Sequence, residues 1–174
     1  MAKQFLIVAS LVCTAFVAGC TQSPDAADSA LTPQPSRVEQ TVFITMGDDF
    51  LADASGVHGG AFHINAGQTI GIHVQNDGTV LHEIMFGRTV AYEDTMAHGF
   101  EELLFEDVAA DVFVYQPAKT EVATERGLAE IEVGPGGQVW IRATFPDELK
   151  GTWDIGCFVP GHFEEGMKAT LIIE

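Results

Sequence analysis

Cysteine is nearly absent from this sequence. Two of its three, Cys13 and Cys20, fall within the first twenty positions, so Cys157 stands alone in all that follows. That excludes a disulfide framework and leaves one thiol needing a reason, since a free thiol oxidises or cross-links unless it is buried or bound. Positive charge is equally scarce. Eight Lys and Arg stand against 25 Asp and Glu, a formal net charge of −17. Such a field repels nucleic acid and anionic membrane surfaces, which removes both as partners. It suits a basic partner or a salty habitat, and the residues do not choose between them. No apolar run reaches the about twenty residues of a transmembrane helix. A nucleophile elbow and a phosphate-cradling loop are missing too, and the carboxylates are scattered, so nothing marks acid–base catalysis.

What is present begins with an export signal. Lys3 precedes the apolar run FLIVASLVCTAFV, Phe5 to Val17, which is of signal-peptide length. It ends in Val17-Ala18-Gly19-Cys20, which resembles a bacterial lipobox. The resemblance implies cleavage before Cys20 and a lipid on that cysteine. Cleavage after small residues with an incidental cysteine is the alternative; the coincidence of small residues and cysteine at the end of the run favours the lipobox. Residues 1–19 are therefore expected to be a lipoprotein signal peptide. The next segment, 20–37, is polar and carries Pro24, Pro33 and Pro35, so it reads as a flexible tether. Positions 38–174 then form one domain, exported and held to the cell membrane by its anchor only, facing the periplasm or the exterior.

The domain reads as short strands between turn residues. Thr41–Met46, Ala61–Asn65, Thr69–Gln75 and Thr79–Phe86 come first, with Asn76-Asp77-Gly78 as a hairpin signal that accommodates positive φ. Leu128–Val133 and Gln138–Phe145 form a second alternating pair across Gly134-Pro135-Gly136-Gly137, and Thr152–Cys157 and a closing strand follow. Without a βαβ rhythm, the fold class is all-β, an antiparallel Greek-key sandwich. Residues 87–127 break the pattern and read as an insertion. Within it, AHGFEELLFEDV is expected as a short helix or amphipathic loop, and DVFVY as a brief strand.

Strand parity gathers a set of soft ligands. His82 is in phase with Val80, Ile84 and Phe86, Cys157 with Trp153 and Ile155, and Met167 with Ala169, Leu171 and Ile173. His162 lies on the loop between the last two strands. A thiolate, two imidazoles and a weak axial thioether suit both Cu(I) and Cu(II), so little rearrangement accompanies electron transfer. A structural zinc site would recruit more cysteines or a carboxylate. His58, His63, His73 and His98 read as exposed polar side chains rather than a second site, and Met85, of opposite parity, is not a ligand.

This ligand order resembles the cupredoxins, the type 1 blue copper proteins of plastocyanin, azurin and halocyanin type. The upstream His82 in LHEI and the loop CFVPGHFEEGM, with intervals C-x4-H and H-x4-M, carry the likeness over roughly Thr41–Phe86 and Leu128–Glu174. The resemblance implies a cupredoxin-like sandwich with one mononuclear copper on His82, Cys157, His162 and Met167. It also implies electron transfer through His162, ringed by Phe158, Pro160 and Phe163. A monomeric, envelope-tethered electron carrier is expected, not an enzyme, with a redox partner protein such as a basic cytochrome or an oxidase. A copper delivery or storage module without electron shuttling is the alternative.

Overall fold

A computed structural model of the chain describes residues 34–115, 120–124 and 127–174. The expected signal peptide, Cys20 and most of the tether lie outside these residues. Among the described residues no helix is long and apolar enough to cross a membrane.

Among the described residues twelve strands and one short α-helix follow in chain order, with a 3-10 turn at Asp147–Leu149 before the eleventh strand. They are β1 (Gln40–Met46), β2 (Leu51–Ala52), β3 (Ala61–Ile64), β4 (Thr69–Asn76), β5 (His82–Glu93), β6 (Met96–Leu103), β7 (Ala110–Tyr115), β8 (Thr120–Ala123), β9 (Glu130–Val133), β10 (Gln138–Thr144), β11 (Gly151–Gly156), α1 (His162–Glu165) and β12 (Lys168–Ile173). One sheet runs β2-β1-β4-β10-β7 and the other β3-β12-β11-β5-β9-β8, with β6 added to β5. The two-residue period of the sequence puts Val42, Ile44 and Met46 of β1 and Ala169, Leu171 and Ile173 of β12 inside. These side chains meet Ile70, Ile72, Val139, Ile141, Trp153 and Ile155 in one continuous core between the sheets.

The all-β sandwich is as expected, but it is not wholly antiparallel. β1 pairs parallel with β4, and β12 with β3. After β1 the chain crosses to the second sheet to lay down β3, and it returns to start β4 running the same way as β1. A parallel neighbour needs such a crossover.

Two expected hairpins are corners instead. The Asn76-Asp77-Gly78 turn joins β4 in one sheet to β5 in the other, and Gly134–Gly137 likewise joins β9 to β10. Gly78 does not adopt positive φ. The buried Asn76 stitches the corners together: its side-chain amide donates to Val133 O at 2.7 Å and Val80 O at 2.8 Å, and its Oδ1 accepts from Gly78 N–H at 2.8 Å. Its backbone is bonded to Gly136 and Gly137.

The expected helix or loop in AHGFEELLFEDV is largely strand β6, paired antiparallel with β5 as far as the Glu93–Met96 tip. Phe100, Leu103 and Leu104 have helical spacing, but the structure divides them. Phe100 and Leu103 join a small outer cluster, whereas Leu104 and Phe105 enter the main core. The open edge of the long β5 offers the backbone hydrogen bonds that decide the matter.

Candidate metal centre

His82 opens β5, in register with Val133 and directly after the corner that Asn76 ties down. Its ring is buried, as is Cys157 at the end of β11, 75 residues later. His162 starts α1 and is half-buried. The loop between Cys157 and Met167 is internally braced: Cys157 N–H donates to Met167 O, Met167 N–H to His162 O, and His162 N–H to Val159 O. α1 is bracketed by Gly161 at φ 92° and Gly166 at φ 111°, backbone that residues with a Cβ rarely adopt. Met167 is wholly buried in the same core cluster as Cys157.

Three donor atoms converge. Cys157 Sγ lies 3.9 Å from His82 Nδ1 and 3.5 Å from His162 Nδ1, and the two nitrogens are 3.2 Å apart. The centre of that triangle is about 2 Å from each corner, close to the usual length of a metal–imidazole bond. The donors are thus arranged as a trigonal metal site requires, and the Cys–His–His set with a buried methionine beside it is the one that suits copper.

Burial dominates the electrostatics. It pushes the Cys157 thiol up to about 11, partly offset by N–H groups of Glu83 and Val159 that favour the thiolate. Glu83 N–H donates to Sγ at 3.4 Å. Burial, and then the neighbouring His162, hold His82 below the usual histidine range, so its ring is neutral and able to ligate. On the other side of β5, burial followed by Glu130 and Glu132 raises the Glu83 carboxyl to about 7. Oxygens of these three carboxylates lie within 4.8 Å of one another.

The surroundings differ from expectation in three places. His73 is only 2% exposed: it sits between Phe43 and Trp140, its Nε2 3.3 Å from Gln138 Oε1, because that sheet's outer face is covered by aromatics. Phe158 and Phe163, expected as a surface patch around His162, are 6% and 7% exposed. They stack on each other at 4.9 Å and pack with Met85, Ala97 and Phe100, under the β5–β6 hairpin. Met85, assigned an outward position, is buried there too. Pro160 is exposed as expected. The hairpin also holds the loop by a hydrogen bond, Ala97 N–H to Glu164 Oε1 at 2.7 Å. His58 and His63 are exposed; His58 stacks on Phe50, and His63 pairs with Glu174.

Sequence reading missed Asn76, Glu83 and Asp48. Asn76 was visible only as a turn residue, and Glu83 as a neighbour of a ligand. Asp48, in Gly47-Asp48-Asp49, is fixed to the β4–β5 corner by Thr79 N–H at 2.5 Å and by its hydroxyl.

No family model matches the chain. It is 22% identical over 138 residues to the copper-resistant cuproprotein CopI of Rubrivivax gelatinosus, covering 79% of this chain and 68% of that protein. Among solved structures, rusticyanin from Thiobacillus ferrooxidans superposes with a TM-score of 0.50 at 15% identity, over 77% of this chain and 76% of its own. A multicopper oxidase from Campylobacter jejuni gives 0.53 at 13% identity, over 82% of this chain but 31% of the oxidase. At such identities the structural likenesses establish the fold.

Proposed function

We propose that this chain, whose fold is the cupredoxin fold, is a type 1 copper protein that carries single electrons, with His82, Cys157, His162 and Met167 holding the ion. One observation carries the reading: Cys157 Sγ and the Nδ1 atoms of His82 and His162 form a triangle whose centre is about 2 Å from each, the reach of a metal–ligand bond. A bound copper supplies a one-electron Cu(II)/Cu(I) couple. The protein's part is to hold the donors still. Asn76 fixes the corner ahead of His82, the loop hydrogen bonds fix His162 and Met167 relative to Cys157, and N–H groups from Glu83 and Val159 accommodate the thiolate charge. His162 is the more exposed imidazole, so it is the route by which an electron enters or leaves.

The setting belongs to the same proposal: Cys20 is lipidated, the domain is tethered to the cell envelope, and its acidic surface orients a basic redox partner such as a cytochrome or an oxidase. It works as a monomer and is not an enzyme. The test is to add Cu(II) to the purified domain and record its visible spectrum. An intense thiolate-to-copper band that bleaches on reduction is expected; a colourless complex or no binding would overturn the reading.

Similarity to a protein named for copper resistance favours a second reading, in which the site stores or delivers copper. The two separate on kinetics. A carrier exchanges electrons with a soluble redox protein much faster than it yields copper to a chelator, whereas a delivery module gives up its ion readily and exchanges electrons slowly.

A further inference from the structure

His82 has two ring nitrogens, and Nδ1 is the one in the donor triangle. The other, Nε2, is buried and makes no hydrogen bond with the protein. A buried polar nitrogen without a partner has lost its hydration with nothing in return, so such groups are rare and call for an explanation.

The explanation lies across Gly78. A β-carbon on that residue would fall 2.8 Å from His82 Nε2, 2.6 Å from Asp48 Oδ1 and 3.1 Å from Asn76 Oδ1, the last already accepting the Gly78 N–H. The imidazole and the carboxylate therefore border one small space, open because residue 78 has no side chain. Gly78 is not in a left-handed conformation; what requires glycine here is this close approach. The Asp48 carboxylate is also pre-oriented, since the Thr79 N–H and hydroxyl hold it against the corner from which β5 departs. Asp48 is exposed, and an exposed carboxylate is an anion at neutral pH.

We infer that Asp48 is the positioning carboxylate of His82: directly or through one water it accepts the Nε2 proton, fixing the tautomer in which Nδ1 turns a bare lone pair toward Cys157 Sγ and His162 Nδ1. Carboxylates that orient metal-binding imidazoles this way fix the ring and raise its donor strength, and their removal costs about 10–100-fold in metal affinity. The negative charge also favours Cu(II) over Cu(I), lowering the reduction potential. The inference rests on the copper reading for its consequences, but not for the tautomer.

The test compares the native protein with Asp48→Asn and Asp48→Ala. Nitrogen-15 NMR of the histidines in the metal-free protein reads the His82 tautomer; copper titration and voltammetry read affinity and potential. Asn keeps an acceptor and the Thr79 bonds but loses the charge, so the Nε2–H tautomer should persist while the potential rises. Ala should lose the single tautomer, bind copper about 10–100-fold more weakly and show a raised potential. Unchanged tautomer, affinity and potential in the Ala variant would overturn the inference, as would an unchanged potential in the well-folded Asn variant. Native protein that takes up no copper sinks the copper reading instead, and the tautomer comparison still decides the role of Asp48.

Discussion

At the scale of single residues, proton and metal compete for one atom. Because burial raises the Cys157 thiol to about 11, loading copper displaces a proton over the whole neutral range. Apparent affinity should rise about tenfold per pH unit between pH 7 and 9, measured by competition with a chelator of known affinity. Cys157→Ser should abolish the visible band, while Met167→Leu should keep it and shift the potential. Glu83 adds a separate pH dependence. Its carboxyl stands near 7 in the fold against about 4.5 when unfolded. Folding therefore favours the protonated form, a contribution fully present below pH 4.5 and lost as the pH rises through 7. Glu83→Gln should leave metal-free stability little changed at pH 4.5 and increase it at pH 8. Equal effects of the substitution at both pH values in urea unfolding would count against a half-buried, proton-hungry Glu83.

At the scale of elements, β5 does two jobs. Its first residue is a donor, its middle joins β9 and β11 across the sheet, and its far half forms the hairpin that covers Phe158 and Phe163 beside the donor loop. Phe100 is the central contact, edge-on to Phe158 at 4.9 Å. Phe100→Ala should cost about 3 kcal/mol or somewhat more and speed amide exchange in α1 and the donor loop more than in β4 or β10. Uniform acceleration across the sandwich would show that the hairpin does not act locally on the loop. Legibility in the sequence divides at this scale. The donors could be read because cysteine, histidine and methionine are rare types at fixed intervals, and strand parity placed them on one side. The two corners could not, because Asp-Gly and Gly-Pro-Gly-Gly have the same local chemistry whether the chain turns within a sheet or leaves it. Phe158 and Phe163 looked like surface because the segment that buries them, β6, lies about sixty residues away in the chain and had helix-like apolar spacing. Asp48 and Asn76 act only through contacts between distant corners, which no local pattern records.

At the scale of the whole molecule, the balance of 25 acidic against eight basic residues sets the response to salt. Like charges repel in the compact state, and about 0.15 M salt screens them beyond roughly 8 Å. Thermal stability should therefore rise between 10 mM and 500 mM NaCl, by calorimetry, and the basic redox partner proposed above should associate more slowly over the same range. A melting temperature flat in salt would mean that the surface ion pairs already offset the excess charge.

The separation of the donors along the chain also orders events in time. Cys157, His162 and Met167 lie within eleven residues, whereas His82 reaches them only when β5 and β11 are side by side. Contacts of such long range form late in folding. A still unfolded chain can thus capture a soft ion with the loop alone and gain its last imidazole when the sheet closes. Part of the binding energy then belongs to the unfolded state as well, which reduces the stabilisation that metal gives the finished fold. Refolding with copper present should begin with a loop-bound complex and acquire its intense colour only in the final phase.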